Sequence, residues 1–197
     1  MQRKIVLASR SYWRKTLLEQ IGIKDFEVVE SDYEEDMSAM NDPRELAKFL
    51  ALKKGEDVAK KYDDAIILSG DTFIVFDGKF IGKPKDNEDA KKTLRMFSGK
   101  EVTAVSGYAI IDTKTGKVIN DIGEGKMKFR ELSDEEIDAY VATGEPLTLA
   151  GSFGIMKRAA AFMESTSGDF YSIVGFPIGK VYLALRKMGV DVFKTTN

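Results

Sequence analysis

Residues 65–84 read AIILSGDTFIVFDGKFIGKP, and the fold class turns on how they are parsed. Ala65–Leu68 is a short run rich in Ile and Leu, which suits a buried strand. Gly70 and Asp71 are expected to break it, with Thr72–Phe76 continuing in extended form. Asp77-Gly78 then makes a two-residue hairpin turn. A buried strand that turns back on itself predicts antiparallel pairing in the sheet.

Toward the N-terminus, Asp42-Pro43 with Glu45 starts a helix reaching about Lys61. Before it come a strand at Phe26–Val29 and the acidic segment SDYEED at 31–36. Lys4–Ala8 (KIVLA) is a further short buried strand. Trp13, Leu17, Leu18 and Ile21 then recur at helical spacing until Gly22 offers a stop. Toward the C-terminus, a helix is expected over Asn87–Met96. Two long extended runs, Val102–Asp112 and Val118–Phe129, flank a turn at Asp112–Gly116 and read as a long hairpin. Ser133 with Glu136 forms a capping box for a helix to Ala142. A Gly-rich segment leads to Tyr171–Val174 and a last helix, Pro177–Met188, ended by Gly189. Strands, helices and hairpins in this order predict an α/β fold with a mixed sheet and flanking helices.

Composition narrows the chemistry. The chain has 197 residues with neither Cys nor His. A chain of this length can bury about 70% of its unfolded surface as one domain, 1–197. Without Cys there are no disulfides, thiolate zinc sites or cysteine nucleophiles. Without His there is no Ser-His-Asp triad, no imidazole ligand and no imidazole proton shuttle. Acid–base or metal chemistry must rest on Asp, Glu, Lys and Tyr, and oxygen ligands favour magnesium, manganese or calcium. The start MQRKIVLASRSYW has too short an apolar run for a signal peptide, and no apolar stretch is long enough to span a membrane. A cytoplasmic protein is therefore expected. A net charge of −2 gives no bulk attraction to nucleic acid or membrane, so a phosphate site has to be a local cluster.

Three places offer such chemistry. In LASRSYWRK (7–15) a strand ends in Ser9 and Ser11 and enters a helix carrying Arg14 and Lys15. Free N–H groups, the helix dipole, the hydroxyls and Arg14 favour an anion there. Alternatively, Ser11 only caps the helix and the cations face solvent. Glu35 in the acidic loop and Asp71 after the apolar strand form a second candidate: two carboxylates meeting in a cleft can bind Mg²⁺ and orient a water. Taken singly, Glu35 is also an ordinary solvated loop residue and Asp71 an ordinary turn residue. Third, Lys83 between Gly82 and Pro84 can present a fixed ammonium, while Lys54 lies on a helix among charged neighbours and reads as surface. No GxxxxGK[ST] phosphate loop is present.

Taken in order, LASRSYWRK, EED, ALKK, SGDTFIVFDGKFIGKP, SGKEVTAVSG, YVATGEPLTLAGSFGI and VGFPI resemble the Maf family over nearly the whole chain. The resemblance implies an elongated α/β fold with two lobes around a cleft, related to the inosine triphosphate pyrophosphatases and often homodimeric. It also implies Mg²⁺- or Mn²⁺-dependent hydrolysis of nucleoside triphosphates between the α- and β-phosphates. Carried over by position, Ser9 and Arg14 bind phosphate, and Glu35 and Asp71 hold the metal. Asp71 also handles the water, and Lys54 and Lys83 neutralise phosphate charge.

The departures from the family pattern bear on the base. Tyr12 and Trp13 replace proline and the first arginine, Val102 stands where histidine is usual, Thr148 and Leu149 replace Asp-Lys, and Met156 replaces glutamine. These resemble the branch that favours 7-methyl-GTP, where the Trp13 indole can stack on a cationic base. Trp13 reads equally as a core residue beside Leu17 and Ile21. The expected substrate is accordingly 7-methyl-GTP, with dTTP, UTP or CTP as alternatives. Inosine or xanthosine triphosphate specificity, or a nucleotide-binding regulator of cell division, are the competing readings.

Overall fold

Helix α2 (Pro43–Ala59) sets the spacing of the part of the fold that carries the candidate residues. Its start is fixed by Asp42, whose Oδ1 accepts from the Arg44 and Glu45 amides at 2.7 and 3.3 Å, with Pro43 in the first turn; this is the N-cap chemistry expected of Asp-Pro. Leu46, Ala47, Leu50, Ala51, Gly55 and Val58 form its buried stripe. Fully burying Leu46 and Leu50 contributes about 1.5–3 kcal/mol each. The computed structural model describes residues 3–193.

Among the described residues, seven strands hydrogen bond in the order β2-β1-β3-β5-β6-β7, with β4 paired to β3. They are β1 (Lys4–Leu7), β2 (Glu27–Val28), β3 (Ala65–Phe76), β4 (Lys79–Ile81), β5 (Glu101–Asp112), β6 (Val118–Phe129) and β7 (Met163–Gly168). The other α-helices among the described residues are α1 (Tyr12–Gln20), α3 (Asn87–Phe97), α4 (Asp134–Ala142), α5 (Phe170–Val174) and α6 (Ile178–Lys187). β1 runs parallel to β2 and β3, whereas β3–β4 and β6–β7 are antiparallel. The sheet is therefore mixed, as the sequence predicts.

The described residues divide into two units. The first takes in the chain up to Thr72, residues 106–123 and the chain from Gly175 on. Within it, the expected break at Gly70-Asp71 does not occur: β3 continues from Ala65 to Phe76. Gly70 is there for space, not for a turn. A Cβ on it would stand 3.0 Å from the Gly107 carbonyl oxygen and 3.2 Å from Arg14 Nε. Helix α2 also sits close on the strands. A Cβ at Gly55 would meet Ser69 Oγ at 2.6 Å, and one at Gly107 would meet the Ala47 carbonyl oxygen at 2.1 Å. Ser69 Oγ meanwhile donates to the Ala51 carbonyl at 2.6 Å, so the buried hydroxyl is satisfied.

The second unit, residues 73–105 and 124–174, is built on aromatic packing. Phe97 lies 5.4 Å from Phe76 and 5.5 Å from Phe129, ring centre to ring centre, with Phe153 edge-on to Phe129 at 5.0 Å. Asp77 and Gly78 both take positive φ, 48° and 73°, the geometry a two-residue hairpin turn requires. The Ser133–Glu136 capping box is present at α4. Strand β7 (MESTSG) is not legible in the sequence: nearly all of it is exposed, so it lacks the alternation that marks a half-buried strand.

The α2 contact gives a direct prediction. Gly107→Ala forces a methyl into main chain that cannot give way, and is expected to cost about 1–3 kcal/mol or more. Urea denaturation should show a lower midpoint; an unchanged midpoint would contradict the packing described.

Candidate active site

Strand β1 ends at Leu7, and the chain passes through Ala8 to Ser11 into α1. Ser11 caps the helix, its Oγ accepting from the Arg14 amide at 3.4 Å. Lys15 faces solvent and pairs with Glu19, so half of the plain reading of this segment holds. Arg14 departs from it. Its Nη1 donates to Ser9 Oγ, its Nη2 to Thr72 Oγ1 and its Nε to the Gly175 carbonyl, each at 3.0 Å. Three of the five guanidinium N–H groups are thereby fixed by the protein, which leaves two for a ligand. Burial pulls the Arg14 pKa below its ordinary value, and the charges of Asp71 and Glu35 oppose that.

Lys54, which reads as a surface residue in the sequence, is largely buried. Its Nζ stands 2.7 Å from Glu35 Oε1 and 3.0 Å from Asp71 Oδ1. The close seat of α2 on β3 makes this reach possible, since Gly55, next to Lys54, touches Ser69, two residues before Asp71. Glu35 is carried by a loop tied to α2: Asp57 Oδ2 accepts from Ser31 Oγ at 3.0 Å and from the Asp32 amide at 2.9 Å. Asp71 is only 9% exposed, and its Oδ2 is buried with no hydrogen-bond partner among the described residues. A buried carboxylate oxygen left bare costs about 1–3 kcal/mol, and such an exception calls for a reason. Ser9, Arg10, Arg14, Glu35, Lys54 and Gly70 are among the residues around a cavity of about 240 Å³.

The structure thus brings together Ser9, Arg14, Glu35, Lys54 and Asp71. Trp13 is half-buried and edge-on to Tyr12 at 5.0 Å; it is not among the residues around the cavity. Lys83 belongs to the second unit, where it is exposed. Two participants escape the sequence reading. Thr72 accepts from Arg14 and donates to the Gly175 carbonyl at 3.1 Å, with Ser106 Oγ 2.8 Å away. Gly175 contributes only a carbonyl. Both meet Arg14 across long sequence separations, which no local motif reports.

A family model described as Maf-like protein matches residues 4–188. Similar curated proteins include a dTTP/UTP pyrophosphatase of Dictyoglomus turgidum, 43% identical over 98% of this chain and 100% of that one. Another, of Methanosarcina barkeri, is 38% identical over 98% of both chains, and one from Bacillus cereus is 40% identical over 96% of this chain and 98% of its own. Both carry that same description. Among solved structures, a HAM1 protein from Coxiella burnetii aligns with a TM-score of 0.50 at 14% identity, covering 94% of this chain and 100% of that one. This last likeness bears on fold alone.

Thr72 predicts a separable effect. Thr72→Val keeps the shape but strips a partner from both Arg14 and the Gly175 carbonyl, so stability should fall by about 1–3 kcal/mol, while Thr72→Ser stays near the parent. Chemical denaturation of the three proteins checks this, and equal stability of Val and Ser variants would remove Thr72 from the Arg14 support.

Proposed function

The chain belongs to the Maf family, and we propose that it hydrolyses dTTP and UTP between the α- and β-phosphates, releasing pyrophosphate. The observation that carries the reading is similarity along essentially the full chain to proteins described as dTTP/UTP pyrophosphatases. It replaces the expectation of 7-methyl-GTP. That expectation leaned partly on Val102, yet Val102 is fully buried in the second unit's core, so its identity follows packing and not contact with a base. Met156 is exposed, and Trp13 is half-buried with its ring against Tyr12.

The residues around the cavity suit a polyphosphate. Arg14 offers its two remaining N–H groups, and Lys54 an ammonium able to exchange a carboxylate for a phosphate oxygen. The donor set also fits a divalent cation of the Mg²⁺ or Mn²⁺ class. Glu35 and Asp71 supply hard oxygens, one of them the bare Asp71 Oδ2, and such ions take one or two carboxylates with substrate oxygens completing the shell. Bound there, the ion would polarise the phosphoryl oxygens. Asp71 would also accept the proton of the attacking water as its oxygen bonds to phosphorus and the anhydride bond breaks. For Lys83, the role of neutralising phosphate charge rests on its place before Pro84 in the motif.

Pyrophosphate release from dTTP, UTP, CTP, GTP, ITP and 7-methyl-GTP, with Mg²⁺ or Mn²⁺, tests this. The expected result is a kcat/KM for dTTP and UTP at least about tenfold above the purine nucleotides. Preference for 7-methyl-GTP would overturn the base assignment, and no turnover of any would overturn the reaction.

A further inference from the structure

The ammonium of Lys54 stands between the two carboxylates best suited to hold a metal ion, within 3.0 Å of each. Its side chain is 16% exposed and that of Asp71 13%, so this contact is shielded from water and salt. The surrounding charges are already balanced. Arg10 pairs with Glu30, which leaves Arg14 and Lys54 facing Glu35 and Asp71, two cations against two carboxylates. A divalent ion entering alone would meet an ammonium at its own ligands and leave the cavity with excess positive charge. A triphosphate changes both conditions: it brings the compensating negative charge, and its oxygens give Lys54 another partner.

We propose that the Lys54 ammonium competes with a divalent cation for Glu35 and Asp71, so that the ion is taken up tightly only together with a triphosphate. This rests on the reading of Glu35 and Asp71 as the metal-holding pair. Lys54 then acts in two positions, on the carboxylates before nucleotide arrives and on phosphate afterwards. The buried Asp71 Oδ2, without a hydrogen-bond partner among the described residues, lies on the carboxylate whose other oxygen Lys54 occupies, so one ligand atom of the pair is unused while Lys54 holds the other.

The test is Mn²⁺ binding without nucleotide, followed by the electron paramagnetic resonance signal of the free ion. Lys54→Met and Lys54→Gln, checked for folding by circular dichroism, should each bind Mn²⁺ at least about tenfold more tightly than the parent. Adding Asp71→Asn to Lys54→Met should remove the gain. Folded variants that bind no more tightly than the parent would overturn the proposal. On the parent protein, the Lys54 ε-methylene NMR signal should move with Mg²⁺ plus a non-hydrolysable dTTP analogue but not with the same Mg²⁺ alone; movement with Mg²⁺ alone would also overturn it. These readouts need no turnover, so failure here is distinct from failure of the substrate panel.

Discussion

The seat of α2 on β3 and β5 is the constraint from which the site follows. Gly55 and Gly107 leave no room for a side chain between helix and strands, since an added Cβ would fall 2.6 Å from Ser69 Oγ in one case and 2.1 Å from the Ala47 carbonyl oxygen in the other. Close-packed interiors transmit such spacing without slack. Lys54, on α2 beside Gly55, is therefore delivered to Asp71 at 3.0 Å, and the loop bearing Glu35 is delivered to Lys54 through the Asp57 contacts. A wider helix–sheet gap would leave Lys54 the surface residue that its charged neighbours suggest.

Much of the fold is legible in the sequence because local chemistry is strong there. Asp42-Pro43, the Ser133–Glu136 box and Asp77-Gly78 each state a boundary, and the structure places a cap, a capping box and a turn at those points. Gly70 misleads because glycine serves both turns and close approach. Here its neighbours are the Gly107 carbonyl, Phe176 and Arg14, all distant in sequence, so the strand runs on. Strand β7 escapes for the opposite reason, having too little buried surface to leave a pattern.

For the site, sequence order recovers Ser9, Arg14, Glu35, Lys54 and Asp71 as a set only through the family resemblance; taken singly each has an ordinary explanation. What the structure adds is their coupling. Arg14 is held by three partners from three parts of the chain, and Lys54 joins two carboxylates separated by more than thirty residues. The base preference was the least legible feature. Substitutions away from a family pattern can report on packing as readily as on ligand contact, and Val102 reports on packing.

Asp71 is where strand geometry, the Lys54 ion pair and a bare buried oxygen coincide, and in the proposed reaction it serves both metal and proton. The most direct measurement is steady-state hydrolysis of dTTP by Asp71→Asn beside the parent, with folding of both verified. The expected result is a fall in kcat of at least about a hundredfold with a much smaller change in KM, as for a group acting mainly in the transition state. A folded Asp71→Asn protein that turns over dTTP at the parental rate would contradict it.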